Sequence, residues 1–360
     1  MTLQTNYGLQ KTIAIGTFAI ALTLLSDDIR AQQTSDSVAI DESPTTKNAP
    51  LEVKLDRLWF GPGKPNLNDS WELWSSHYVD AEIIRLDAEQ LEVRDPSGTV
   101  KTLELNRLIF VQPQWDSAEA TELNTLYENG QFAEFAKKAP PVIQSSIAPW
   151  QQRLLLAKLI ASADSIGNRV PAAKLFISLC DNSSPPMLLN CAPLNWAQSD
   201  SSASMKELSQ QWLSDSREAA MLVGASWSLS DNSRDKAIET LEKLTRSTND
   251  AISQLAEAQL WRIKPIGPKN LSEILLWQNR RDHFLLPLQL GPTELIADRW
   301  RSAQKPTLAA FEYLRIALLH KDRYDRRQFA LKQAEALLNM AEHQNDAQKL
   351  KALYDAATKP

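Results

Sequence analysis

Residues 232–244 read NSRDKAIETLEKL, and their spacing decides the class of the fold. A short polar residue, Asn232, stands five positions before Ala237. Leu241 follows four positions later and Leu244 three after that. Side chains at that spacing share one face of a helix. The small residue lets a neighbouring helix come close, and the large ones fill the space left between helices. The same spacing recurs at Gly167, Ala172, Phe176 and Leu179, with Pro185 beyond it, and more weakly at Asn345, Leu350, Tyr354 and Ala357. Further helical stretches lie at 151–163, 204–229 with a break near 214–216, 251–263, 271–284, 307–319 and 326–343. Residues 115–360 are therefore expected to form an array of paired helices. The interval between units is not constant, so an irregular helical bundle is the alternative.

Upstream the period changes from helical to strand-like. VDAEIIRL (79–86) sets Val79, Ala81 and Ile83 against Asp80 and Glu82. QLEVRD (90–95) alternates at Leu91 and Val93, and TVKTLEL (99–105) at Leu103 and Leu105. Pro96-Ser97-Gly98 is a turn signal between them. Residues 108–111 form a short apolar run. Short strands joined by tight turns predict a meander closing into a small barrel over residues 51–114.

These residues carry a resemblance. Trp74 followed by VDAEIIRLDAEQLEVRDPSGTVKTLELNRL resembles the endocytic-adaptor homology domain, a Src-homology-3-like barrel. Trp74 stands at its leading tryptophan and Ala81-Glu82-Ile83 at its acidic–apolar strand. Leu91 to Val93 stand at the second strand, Ser97-Gly98 at the turn, and Leu105 with Leu108 at the closing pair. The resemblance implies a peptide-binding barrel, although the ligand-reading positions of that family are not recognisable here. The alternative is a cap packed on the helical part. The helical pattern resembles a degenerate tetratricopeptide-like solenoid. Together they give the expected class: mainly α with a small β module, an α-solenoid preceded by a small β-barrel. The whole resembles exported bacterial proteins that join a signal peptide, a small barrel and atypical helical repeats.

Lys11 precedes an apolar stretch, TIAIGTFAIALTLL (12–25), closed by Ser26-Asp27-Asp28. Its length suits a signal peptide better than a membrane span. Residues 1–31 are read as an export signal cut after Ala31, with an uncleaved anchor or a buried helix as alternatives. Residues 32–50, rich in Ser, Thr, Asp and Gln, read as a disordered linker. The expected location is the periplasm or cell envelope, tethered to the membrane if the signal is not cut. Export makes Cys180 and Cys191, in CDNSSPPMLLNC, a disulfide candidate closing a short loop. Two free thiols are the other reading.

The 360 residues carry 39 basic and 44 acidic side chains, a net charge of −5 that argues against a nucleic-acid binder. Ten glycines and four histidines leave little for a Gly-rich nucleotide fold or a histidine metal site. No catalytic or cofactor motif appears, so a non-enzymatic protein with no cofactor or metal is expected. The chain has eleven tryptophans. Trp150, Trp212, Trp227, Trp261, Trp277 and Trp300 sit among apolar helical residues and read as core. Trp59, Trp71 and Trp74 are candidate ligand contacts. Residues 299–332 carry a net +6 while the rest of the chain carries −11. Arg315, Lys321, Arg323, Arg326 and Arg327 are thus candidate partner contacts, against a reading in which they only offset the acidic array. The leading expectation is a protein-interaction scaffold using a helical-repeat surface. The alternatives are a carbohydrate or anionic envelope-polymer binder with Trp platforms, and a hydrolase built on a helical toroid.

Overall fold

The computed structural model describes residues 54–61, 77–181, 184–196, 202–264 and 271–357. The expected signal and linker, and Trp71 and Trp74, lie outside these residues.

Five strands come first: β1 (Asp56–Phe60), β2 (His77–Leu86), β3 (Leu91–Arg94), β4 (Val100–Leu103) and β5 (Leu108–Gln112). All pair antiparallel in the order β4-β3-β2-β1-β5. The ten-residue β2 pairs with β1 through its first half and with β3 through its second, and the register shifts between Ile83 and Arg85. Alternation puts Leu58, Phe60, Ala81, Ile83, Leu91, Val93 and Val111 on the buried face. The expected closed barrel is not formed, because the two edge strands, β4 and β5, do not pair. Val100, Lys101 and Thr102 on β4 are exposed, and 3-10 turns at Pro186–Cys191 and Leu286–Gln289 pack on β5. Arg153 donates to the Leu86 carbonyl at 2.8 Å and Gln151 to the Gln114 carbonyl at 3.2 Å. Sheet and helices share one continuous core. Buried Asp56 binds the sheet internally, accepting from Ile83 N at 3.1 Å and Gln114 N at 2.9 Å.

Thirteen helices follow among the described residues. They are α1 (Ala118–Glu128), α2 (Phe132–Ile143), α3 (Pro149–Ser165), α4 (Arg169–Asp181), α5 (Ala203–Trp212), α6 (Glu218–Ser228) and α7 (Arg234–Leu244). Then come α8 (Asp250–Leu260), α9 (Leu271–Asp282), α10 (Leu290–Ser302), α11 (Pro306–Leu319), α12 (Tyr324–Met340) and α13 (Gln344–Ala357). Ser117, Ser202 and Asn249 cap α1, α5 and α8 through their side-chain oxygens. Pro149 and Pro306 open α3 and α11, where a missing N–H costs nothing. The spacing motifs fall on α4, α7 and α13. Ala172, Phe176, Leu179, Ala237, Leu241 and Leu244 are all buried, and Leu350 is partly so. Gly167 supplies the left-handed turn (φ 84°) into α4. Pro140 and Pro141 sit in the last turns of α2, which runs on to Ile143.

The packing is repeat-like. Most helices lie on the next in sequence, α8 and α9 meeting instead through the Trp261–Trp277 stack and the Arg280–Glu257 pair, and polar contacts link helices one pair apart. Asn124 accepts from Lys158, the Ser226 carbonyl from Arg262, the Arg262 carbonyl from Arg299, and Glu312 from Gln278. Glu294 accepts from Arg326, and all five offsets run from 32 to 37 positions. The six helical tryptophans are core, as their neighbours implied. Trp261 and Trp277 stack at 5.7 Å, and Trp212 meets Trp227 at 5.6 Å.

Two features depart from an open array, in which each unit touches only its neighbours. First, α12 returns to α3: Arg326 Nη2 reaches Asp164 Oδ2 at 3.3 Å and Ser165 Oγ reaches Asp325 Oδ2 at 3.0 Å. Second, residues 184–196 form no surface loop. They run buried as an internal plug touching α3, α4 and β5 through a 3-10 turn at Pro186–Cys191. Their backbone is satisfied from afar. Arg169 and Trp227 donate to the Pro193 carbonyl (3.0 and 2.9 Å), Arg323 to the Asn190 carbonyl, and Asn195 N to Ser226 Oγ (2.9 Å). Trp196 lies so close to Gly291 that a Cβ there would stand 1.9 Å from Trp196 Cε2.

Candidate functional site

A cavity of about 360 Å³ opens where the sheet meets the array. Its walls come from β5 and the strand exit (Phe110 to Trp115), α1, α3, the plug, and the turn Lys321–Tyr324 between α11 and α12. That junction is a common place for a ligand pocket, and the volume is within the range such pockets occupy. Leu154, Ala157, Met187 and Leu188 line it with apolar surface, and Trp115 and Tyr127 with aromatic surface.

Two charged groups enter this space. Lys158, on α3, donates to Asn124 Oδ1 of α1. Its ammonium lies 5.1 Å from the Tyr127 ring centre and 5.6 Å from that of Trp115. Among the described residues it forms no ion pair. Burial lowers its pKa to about 8, although Glu128 and Asp322 pull the other way. Asp322 also makes no ion pair; Asn190 Nδ2 of the plug donates to its Oδ2 at 2.8 Å. Burial raises its carboxyl above the ordinary range. An ammonium and a carboxylate thus share one pocket without bonding to each other, each held by an asparagine.

The neighbouring cations are engaged within the chain. Arg323 is buried and donates to Asp325 at 3.0 and 3.1 Å. Arg326 is shared by Glu294, Asp164 and Asp325. Arg315 pairs with Asp282 at 2.8 Å and donates to Gln289. Arg327 is half-buried. Lys321 is exposed at the cavity rim, its ammonium 5.2 Å from the Trp59 ring. Trp59 is half-buried and crowded: Phe110 stacks on it at 5.5 Å and Tyr78 tilts against it at 5.2 Å. Arg57 continues the ladder over Tyr78 and pairs with Asp80 at 2.8 Å. Of the expected contacts among the described residues, the structure brings only Trp59, Lys321 and Arg323 near the cavity. Arg315 lies elsewhere on α11.

Cys180 and Cys191 stand as free thiols, Cys191 buried and Cys180 half-buried. Burial pushes Cys191 up to about 12 and Cys180 upward. His320 is buried and neutral. Among the described residues no group of three His, Cys, Asp or Glu could hold a metal ion. Nor, among them, is any helix long and apolar enough to cross a membrane.

Sequence reading missed Lys158, Asp322, Asn124 and Asn190. One signal was there: Lys158 is the only charge between Arg153 and Asp164 in an otherwise apolar helix. Comparison with family models, with curated proteins and with solved structures gives no match.

Proposed function

We propose that this chain is an exported, non-enzymatic interaction protein whose helical array docks an acidic amphipathic helix. One observation carries the reading. Leu308, Phe311 and Leu318 lie on one face of α11 with 40%, 59% and 66% exposure, an unusual display of large apolar side chains. Leu275 on α9 (56%) extends the stripe. Gln278 and Asp282 of its own helix bond Glu312 and Arg315 of α11, which sets the two helices side by side. Phe329 of α12 (42%) adds to the other flank through its contact with Tyr313. Anchors at i, i+3 and i+10 suit a helix laid in a groove.

Charge selects the occupant. Lys305 and Lys321 are exposed at the two ends of α11. A second copy meeting by the same face would bring these cations together, whereas an acidic segment would neutralise them. The anionic-polymer alternative has less to rest on, because Arg315, Arg323 and Arg326 are already committed to carboxylates. Export rests on the segment 12–25. The Src-homology-3-like and tetratricopeptide-like likenesses stand as proposals, supported by the four-strand meander with β5 returning to pair with β1 and by the offsets of 32 to 37 positions between bonded helices.

The test is photo-crosslinking in cells, with benzoylphenylalanine at position 311 or 318 and, as control, at exposed Lys236. Capture at 311 and 318 of one segment that is apolar on one face and acidic on the other supports the reading. Capture of a second copy of this chain, or no capture beyond the control, overturns it.

A further inference from the structure

We propose that the cavity between β5, α1, α3 and the Lys321–Tyr324 turn binds a small zwitterion of the amino-acid type. Its carboxylate would sit on Lys158 and its ammonium on Asp322. The proposal is independent of the docking face on α11.

Three features argue for it. The first is the state of the two charges. Both side chains are half-buried in the cavity wall, where a charge with no hydrogen-bonded counter-ion is costly. Lys158 has three N–H donors and one acceptor among its contacts, the Asn124 amide oxygen. Asp322 has two oxygens, and one accepts from Asn190. Each keeps unused capacity facing the same space. The second is that the two charges are opposite, so a single anion or a single cation would leave one of them unpaired. A ligand carrying both signs completes both. The third is size and wall chemistry. About 360 Å³ bounded by Trp115, Leu154, Met187 and Leu188 leaves room for an apolar side chain beside the two charged ends.

Among the described residues the other charges form no ion pair with either group, and Glu128 acts on Lys158, and Arg323 on Asp322, only through space. Arg323 is held by Asp325, Lys321 lies over Trp59 at the rim, and Glu128 is exposed at the end of α1. A free amino acid and the ends of a dipeptide present the same chemistry, and the experiment separates them.

The measurement is isothermal titration of the whole folded protein at pH 7. The probes are L-leucine, L-phenylalanine and Leu-Leu, with N-acetyl-leucine and leucinamide as ligands lacking one charge. At least one zwitterion is expected to bind one-to-one, with the two single-charge analogues at least tenfold weaker. Binding of L-leucine or L-phenylalanine but not Leu-Leu identifies a free amino acid; the reverse identifies a peptide. Lys158→Met and Asp322→Asn, checked for folding by circular dichroism, are each expected to weaken binding at least tenfold. No binding by any zwitterion overturns the proposal. So do analogues that bind as well as the zwitterion, or folded variants that bind like the parent. Should a variant fail to fold, the comparison of zwitterion with analogues on the parent protein decides alone.

Discussion

Arg326 and Asp164 are 162 positions apart in sequence and 3.3 Å apart in space. Their contact fastens the twelfth helix to the third and turns a row of helix pairs back on its own start.

Removing Arg326 strands Glu294, whereas Asp164 keeps Arg169 and Asp325 keeps Arg323. Asp164, Glu294 and Asp325 keep only about a tenth of their side-chain surface in contact with water. Arg326→Met is expected to cost about 3–5 kcal/mol, the range for breaking a buried pair from one side. Urea unfolding measures it. A loss under about 1 kcal/mol would show that the α12–α3 contact does not hold the array closed.

Gly291 tests the plug. The Gly291→Ala methyl would have to occupy space held by Trp196, so the variant is expected to lose more than the about 1–3 kcal/mol typical of overpacking. In a double variant with Trp196→Phe the two losses should not add, because the smaller ring makes room. Simple additivity in the urea midpoints would place Trp196 away from α10.

His320 gives the stability a pH dependence. Burial, with Arg323, Arg315 and Arg281 nearby, drives its pKa down to about 3, against an unfolded value of about 6.5. Between those values the unfolded chain holds the extra proton. The contribution is therefore complete above about pH 6.5 and is lost as the pH falls toward 3. Asp56 runs the opposite way, since burial raises it to about 6 and it favours the fold as the pH drops below that. Comparing the parent with His320→Gln cancels the Asp56 share. Between pH 7 and pH 5 the parent should lose about 2 kcal/mol more than the variant. Equal losses would mean that His320 is protonated in the fold.

The cysteines give a count. Folded protein should not react with a thiol reagent, because burial holds both groups protonated. Unfolding in urea should release two thiols per chain. Release of none would show that the bridge expected from an oxidising compartment is closed.

These sites also mark how far local sequence reaches. The helices were legible because Ala237, Leu241 and Leu244 point one way at helical spacing, and the structure buries all three. The strands were legible because Leu91 and Val93 alternate with charges. Barrel closure was not, since it depends on whether β4 finds a partner, and what packs on β5 is a pair of 3-10 turns far along the chain, at Pro186–Cys191 and Leu286–Gln289. The plug was misread for the same reason. Pro185, Pro186 and Asn190 are turn formers, and the segment is held by donors from three separate helices or turns, Arg169 and Trp227 on the Pro193 carbonyl and Arg323 on that of Asn190. The cavity was hidden likewise: Lys158 and Asp322 are 164 positions apart and meet only because the array closes.

The plug also fixes the number of units. An open array can gain or shed a helix pair and keep its remaining interfaces, which is how such proteins vary in length. Here the segment at 184–196 is wrapped by helices drawn from both sides of it in the chain. Deleting the pair α8–α9 would take away Arg262, which supports α6, and would shift α10, whose Gly291 receives Trp196. Adding a pair would part Arg326 from Asp164. Variation by duplication is closed to this chain, and change is confined to single residues and to the exposed faces of its outer helices.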